Sequence, residues 1–445
     1  MYIAFIILLI SLLTLTFFLC RQELMSPPTL MVGMFTICAI FGLYRYDDWK
    51  YSEYSLEAIA LLLLGILSFV TAGLIALYRK RPSVSSEQSI ETYASRISIT
   101  SAIPVILIVV GFLQVYVQYR LVLQTVVGLG YNHSSLAQTL YVYRIINTQG
   151  LIPDEYAISS VYSLLKYFVE SSSALAIFVF LYNIFAVRQF QKKDILWIGV
   201  AMFWPINAII TTSRGDLLNI IAMAFYLMYF FLGFRRGFNQ KTDVKVIKIG
   251  IQLLAVFFFV FLFISIQQGR VSNGFVSYIS IYTNGGVRNF DLFIKDPVPY
   301  GQGLLGNDET LRYISLIVQR LSDAPYSTSL ALEFRNINGV NTGNIYTAFR
   351  RYYSDFGFAG IILFSSFLGY FLTNLYCKAK LEVTKKKIGF TTLLFAWLSK
   401  PIFFLAIEDT FYVTVVTLNG LIRIFFLWML YVIFIKKILR IRIRL

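Results

Sequence analysis

Histidine is almost missing from this sequence. The single residue of its kind, His133, cannot build a multi-histidine metal centre. Cysteine is nearly as scarce. Cys20, Cys38 and Cys377 lie in or beside apolar runs and no two stand as CxxC, so neither a disulfide framework nor a zinc site is supported. No Walker A segment occurs, and the one GxGxxG, Gly301 to Gly306, lies inside a polar interval instead of between a strand and a helix, which gives nucleotide-driven chemistry no footing. Acidic doublets occur as Asp47-Asp48 and Glu408-Asp409, neither with the DxD spacing that holds a divalent ion, and each reads as a hydrated loop end. The expectation is no metal and no cofactor. Internal repeats and low-complexity segments are also missing, which argues against an inverted-repeat transporter.

Charge is thin as well. Only 14% of the 445 residues are charged against 58% hydrophobic, and the mean hydropathy is +0.69. That balance is the mark of a polytopic membrane protein. Eleven apolar runs are long enough for a helix to cross the bilayer: 3–20, 29–44, 56–78, 102–118, 163–187, 195–212, 217–234, 247–266, 356–376, 388–407 and 411–435. The first lacks the basic flank of a signal peptide and reads as a retained helix. The net charge of +16 does not point to nucleic acid, because the lysines sit in short loops between spans. Basic residues at 79–81, 188–193, 235–248, 378–387 and 436–444 mark one side as cytoplasmic, which leaves the N-terminus and the longest loop outside. The predicted fold is all-α, a single membrane domain over 1–445 with about eleven transmembrane helices.

The longest polar interval, 267–355, lies between the eighth and ninth spans. It holds seven arginines and one lysine, Lys295, with aromatics threaded through it. Arginine forks match phosphate and carboxylate oxygens, and aromatic faces match sugar rings or headgroups. The composition points to a loop that holds an anionic, glycan-bearing ligand against the membrane. Within it, Asn307-Asp308-Glu309 reads as a helix start, with Leu311, Ile314, Ile317, Val318 and Leu321 as an apolar stripe and Arg312 and Gln319 on the polar side. Asn338-Gly339 and 341–343 read as turns, and 344–353 as helix leading into the ninth span.

Other departures from plain hydrophobic spans are local. Pro205 and Pro401 are expected to break their helices. Lys400 and Arg423 lie at a depth where a charge costs about 2.5–3.5 kcal/mol, so each needs a partner, with Glu408 and Glu170 in reach, or a ligand. Ser213-Arg214-Gly215-Asp216 closes a hairpin between two spans. Arg214 stands there at a helix N-terminus, whose exposed N–H groups attract anions, and Asp216 is a candidate cap.

The segment Asn344-Ile345-Tyr346-Thr347, continuing through Arg350-Arg351-Tyr352-Tyr353-Ser354-Asp355-Phe356-Gly357 to Gly360, resembles the N-x-Y-T … Y-x-D-F-G-x-x-G segment of Wzy-type oligosaccharide repeat-unit polymerases (O-antigen polymerases). The Ser213-Arg214-Gly215 turn is similar to one these enzymes share with O-antigen ligases. The resemblance implies a metal-independent glycosyltransferase of GT-C type in the bacterial cytoplasmic (inner) membrane, with its site facing outward. Its partners are then an undecaprenyl-pyrophosphate-linked glycan, the bilayer, and a chain-length regulator and flippase of the same pathway, but no nucleic acid. It carries Arg214 and Arg351 over as catalytic. Asp355 belongs to the same motif, as a candidate base or a helix cap. Arg270 and Arg288 join the catalytic set by position and charge alone. Arg350, Tyr346, Tyr352, Tyr353 and Asn344 are the expected substrate-binding residues. The ligases usually carry a histidine in the large outer loop, whereas His133 lies in an earlier one, so a ligase ranks second. A lipid-linked oligosaccharide flippase is the non-enzymatic alternative.

Overall fold

In a computed structural model the described residues are 77% helix and 2% strand, in line with the all-α class the sequence predicts. The structure describes residues 1–79, 95–131, 134–148, 151–152, 156, 159–267, 275–298, 308–321, 332–337 and 339–436. In chain order the helices are α1 (Tyr2–Leu19), α2 (Pro27–Gly42), α3 (Leu56–Arg79), α4 (Ala102–Gly128), α5 (Leu136–Thr148), α6 (Ser160–Leu181), α7 (Ile195–Ala201) and α8 (Phe203–Ile210). They continue as α9 (Arg214–Arg236), α10 (Gln240–Gln267), α11 (Phe275–Lys295) and α12 (Arg312–Leu321). After the strands β1 (Arg335–Ile337) and β2 (Val340–Gly343) come α13 (Ala348–Thr384), α14 (Phe390–Trp397), α15 (Lys400–Phe404) and α16 (Leu418–Tyr431).

Among the described residues nine helices are long and apolar enough to cross a membrane, so this is a multi-pass membrane protein. The predicted eighth span lies within α10, a continuous helix. The predicted tenth is split into α14 and α15, with the break just before Pro401. A similar break at Met202 separates α7 from α8 ahead of Pro205. In each case the proline ring removes an amide donor and crowds the preceding turn. The predicted last span starts late, at Leu418 rather than 411. Two causes act together: Val413-Thr414-Val415-Val416-Thr417 is a β-branched run, and the Asp409 side chain takes the Phe411 and Tyr412 amides.

Two compact units form. Unit 1 comprises 1–83, 271–378 and 398–417; unit 2 comprises 84–270, 379–397 and 418–445. In unit 1, α11 is not a solvated loop but a helix packed on α2 with its polar residues matched. The Asn284 amide accepts from the Tyr51 hydroxyl and donates to the Tyr2 hydroxyl (3.0 Å) and the Cys38 carbonyl (2.9 Å). Tyr2 stacks on Tyr51 with ring centres 4.0 Å apart. The Asn289 amide donates to the carbonyls of Thr342, Gly343 and Ile345 at 2.9–3.2 Å and so fixes the chain that leads into α13. Strands β1 and β2 pair antiparallel, and 341–343 is strand rather than turn, while Asn338 of the other predicted turn lies outside the described residues.

Unit 2 handles its polar groups the same way. Gln114 of α4, Tyr162 of α6 and Asn207 of α8 share hydrogen bonds of 2.6–3.0 Å. Arg423 of α16 donates to Glu170 of α6 at 2.9 Å and lies 4.5 Å over the Tyr167 ring. In unit 1 Lys400 meets Glu408 at 3.1 Å. Both intramembrane cations thus have the carboxylate partners that their depth demands.

Helix α13 is bent sharply at Phe356 (φ −135°, ψ 15°) and Gly357 (φ 61°, ψ −150°). Gly357 adopts a backbone region open essentially to glycine alone. The bend brings the Tyr352 carbonyl so close to Gly360 that a Cβ there would collide with it. The D-F-G-x-x-G spacing therefore has a backbone meaning: one glycine turns the chain and the second lets it pass. Gly357→Ala is expected to cost about 1–3 kcal/mol, read as a lower melting temperature of the detergent-purified protein; an unchanged melting temperature contradicts this account.

Candidate functional site

The first two turns of α13, residues 348–355, gather most of the predicted site residues of unit 1, and their organiser is Glu309. Four neighbours on one face of α13, at i, i+1, i+4 and i+5, all reach it. Arg350 Nη1 binds Glu309 Oε2, and the Ser354 hydroxyl donates to Oε1 at 2.9 Å. Arg351 Nη1 donates to the Glu309 carbonyl at 3.3 Å. Asp355 accepts from the Glu309 amide at 3.0 Å and the Thr310 amide at 2.6 Å. Since these amides are taken, α12 begins at Arg312, later than the Asn307–Glu309 cap signal suggests. Burial pushes the Glu309 carboxyl above the ordinary range, with the Arg350 and Arg351 charges and the Ser354 hydroxyl opposing it.

The two adjacent arginines are treated differently. Arg350 is 0% exposed, also donates to Glu333 Oε2 at 2.7 Å, and lies 4.4 and 4.6 Å from the ring centres of Phe293 and Tyr346. It is locked inside the fold. Arg351 is half-buried, and its one hydrogen bond among the described residues goes to a carbonyl, so most of its donors are uncommitted. Arg288 is 2% exposed. It pairs with Asp291, donates to the Lys50 carbonyl at 3.2 Å, and faces the rings of Tyr51 and Tyr54. That environment makes it a tie between α11 and the 50–54 turn.

The predicted substrate-binding aromatics are also mostly inside. The Tyr346 hydroxyl donates to Glu333 Oε1 at 2.8 Å and accepts from Arg335 Nε at 3.3 Å. Tyr352 is buried against Phe364 and Tyr412. Tyr353 is half-buried beside Phe293, Leu332 and Tyr346, and Asn344 is half-buried at the end of β2. Both Asp355 oxygens accept amides, so it anchors the loop at 309–310 instead of capping its own helix. Arg214 is the first residue of α9, with Ser213 at the N-cap position, and Asp216 lies within electrostatic reach of Arg423. Arg270 and His133 lie outside the described residues.

One residue read from sequence as a hydrated loop end is the reverse. Asp409 is 6% exposed. Its Oδ1 accepts from the Phe411 amide at 2.9 Å and the Tyr412 amide at 3.0 Å, while Oδ2 is buried without a hydrogen-bond partner among the described residues. Burial raises its carboxyl to about 6, against the pull of the Phe411 amide, the Arg351 charge and the Tyr412 amide. The sequence signal for it was weak: an acid two residues before an aromatic pair, in a stretch too β-branched for helix.

Comparison with family models, with curated proteins and with solved structures found no match for this chain.

Two outcomes follow from these contacts. Glu309→Ala takes one of its two carboxylate partners from the fully buried Arg350 and is expected to cost about 3 kcal/mol, whereas Arg351→Ala removes one bond to a carbonyl, worth about 1 kcal/mol. Thermal unfolding of the two variants side by side checks the ranking, and equal losses contradict it. For Asp409 the folded carboxyl lies above its ordinary 3.8, so the folded protein holds this proton more tightly than the unfolded chain. That stabilisation is complete below about 4 and is lost as pH rises through about 6. Asp409→Asn keeps an acceptor for both amides and never ionises. It should melt above wild type at pH 7.5, with the gap smaller at pH 5 and closing near pH 4; a gap independent of pH refutes the buried-charge assignment.

Proposed function

We propose that this protein is a glycan polymerase. It joins oligosaccharide repeat units carried on undecaprenyl pyrophosphate at the outer face of the bacterial cytoplasmic membrane, for a surface polysaccharide, as an eleven-span protein of Wzy type. The observation that carries this reading is Arg351. It lies within the polymerase-like segment, on a helix fixed by Glu309 and by the Gly357 bend, and it keeps most of its donors uncommitted while its neighbour Arg350 is consumed by the fold. A planar fork held rigidly with free donors suits a pyrophosphate leaving group.

In the reaction a hydroxyl oxygen of the acceptor sugar bonds to the anomeric carbon of the donor glycan. The bond from that carbon to the pyrophosphate oxygen breaks, the electron pair leaves with the pyrophosphate, and the hydroxyl proton passes to a base. Arg351 stabilises the charge that grows on the leaving oxygen. Arg214, first residue of α9 in unit 2, is a second phosphate-binding candidate by its place at a helix N-terminus. Arg288 and Arg350 are assigned supporting roles here, because their guanidinium groups are paired and enclosed.

The test is chain extension by purified protein on lipid-linked repeat units, with EDTA present throughout. Extension is expected to persist without divalent metal. Arg351→Lys, which keeps the charge but loses the fork, is expected to lower the rate about 100- to 1000-fold at unchanged protein level. Normal extension by this variant removes Arg351 from the chemistry, and transfer onto a lipid core instead of chain growth identifies a ligase.

A further inference from the structure

We infer that Asp409 is the internal counter-ion of Arg351, and that an anion binding at the guanidinium drives a proton onto Asp409. The inference rests on the reading of Arg351 as a phosphate-binding group. It makes Asp409 a positioning residue, one that acts through Arg351 without touching the substrate.

The geometry begins with the segment 405–412, which is non-helical and mostly buried. Irregular backbone in a membrane protein is tolerated only where protein encloses it or water lines it. This segment is fastened to the first turns of α13. The Ala348 amide donates to the Leu405 carbonyl at 2.9 Å, the Tyr412 ring meets the Tyr352 ring edge-on at 5.6 Å, and the Tyr412 hydroxyl donates to the Phe364 carbonyl at 3.0 Å. Asp409 is thus held against the turn that carries Arg351.

Apart from Glu333, whose oxygens are taken by Arg350, Tyr346 and Arg335, three carboxylates surround this part of α13, and two are fully engaged. Glu309 has Arg350 and Ser354 on its two oxygens, and Asp355 has the Glu309 and Thr310 amides. Asp409 alone of the three has an oxygen, Oδ2, without a well-formed hydrogen bond among the described residues, with the Tyr352 hydroxyl beside the carboxyl. The charged and titratable groups that face it are Arg351 and Tyr352 from α13 and Glu408 and Tyr412 from its own segment. Glu408 is engaged by Lys400 at 3.1 Å. Arg351 is therefore the cation that sustains the Asp409 carboxylate against burial.

A phosphate at Arg351 changes this balance. It shares the guanidinium charge and adds negative charge nearby, so the buried carboxylate loses its stabiliser and takes a proton from solvent. By linkage the effect is reciprocal: a proton already on Asp409 leaves Arg351 with no internal competitor and tightens anion binding.

The experiment uses the full-length purified protein and two probes, inorganic pyrophosphate and sulfate, the second because its charge is constant between pH 5.5 and 8. Binding is followed by calorimetry in buffers of different ionisation enthalpy. Wild type is expected to bind sulfate roughly tenfold more tightly at pH 5.5 than at pH 8, with proton uptake on binding at the higher pH, while pyrophosphate, whose own charge falls at low pH, reports whether the site takes a phosphate. Asp409→Asn is expected to bind sulfate equally at both, with the affinity wild type reaches at pH 5.5. If Arg351→Ala binds as wild type does, the phosphate-site reading of Arg351 fails. If Arg351→Ala loses binding while Asp409→Asn keeps the wild-type pH dependence, the counter-ion inference fails and the phosphate site stands. Should Asp409→Asn not fold, wild type still decides: sulfate binding that is independent of pH and takes up no proton overturns the inference.

Discussion

The constraint on which the polar interval depends is the burial of one carboxylate, Glu309, against one fully buried guanidinium, Arg350. Neither charge is stable in that interior alone, so the pair forces the loop at 308–312 to stay on α13 wherever α13 goes. Ser354 and Asp355 close the grip from the next turn, one on the carboxylate and the other on the amides. Glu333 then joins Arg350 and Tyr346 from the far side and ties the hairpin of β1 and β2 to the same helix. Glu309, Thr310 and the residue that leads into β1, Glu333, are in this way held by a handful of contacts to Tyr346 and to residues 350–355 of one helix.

That organisation gives the sequence motif two layers of meaning. The glycines and Asp355 serve the backbone: Gly357 bends α13, Gly360 admits the Tyr352 carbonyl, and Asp355 anchors the loop. Tyr346 and Arg350 serve the packing of the interval against the helix. Each of these residues has a structural part to play, and Arg351 stands out as the one whose donors the fold leaves mostly uncommitted.

The hydrophobic spans were legible because hydropathy and length are local properties, and the breaks near Pro205 and Pro401 were legible because a proline acts on its own turn. The pairing of Arg423 and Lys400 with Glu170 and Glu408 was legible from the cost of an unpaired charge at depth. What was not legible is burial that depends on distant partners. Nothing around Glu309 announces that four residues 41 to 46 positions later converge on it. Nothing in Glu408-Asp409 distinguishes the exposed acid from the buried one. The polar residues of α11 read as loop because Asn284, Arg288 and Asp291 look solvated until Tyr2, Tyr51, Tyr54 and Ser55 are brought against them.

The electrostatics of the arginines carries the argument one step further. Arg96 meets Asp194, Arg288 meets Asp291, Arg350 meets Glu309 and Glu333, and Arg423 meets Glu170. In each of these pairs the carboxylate is placed to bond the fork directly, which is the arrangement a low-dielectric interior imposes on a structural cation. Arg351 departs from the pattern. Its direct acceptor is a neutral carbonyl, and the carboxylate set against it, Asp409, directs its bonded oxygen at two amides instead. A half-buried guanidinium left with a near but unbonded counter-charge retains its affinity for an external anion, whereas the paired arginines have theirs satisfied internally. The difference between the structural Arg350 and Arg351, the arginine proposed to bind a ligand, lies in which acceptor the fold supplies, not in sequence context, since the two are neighbours.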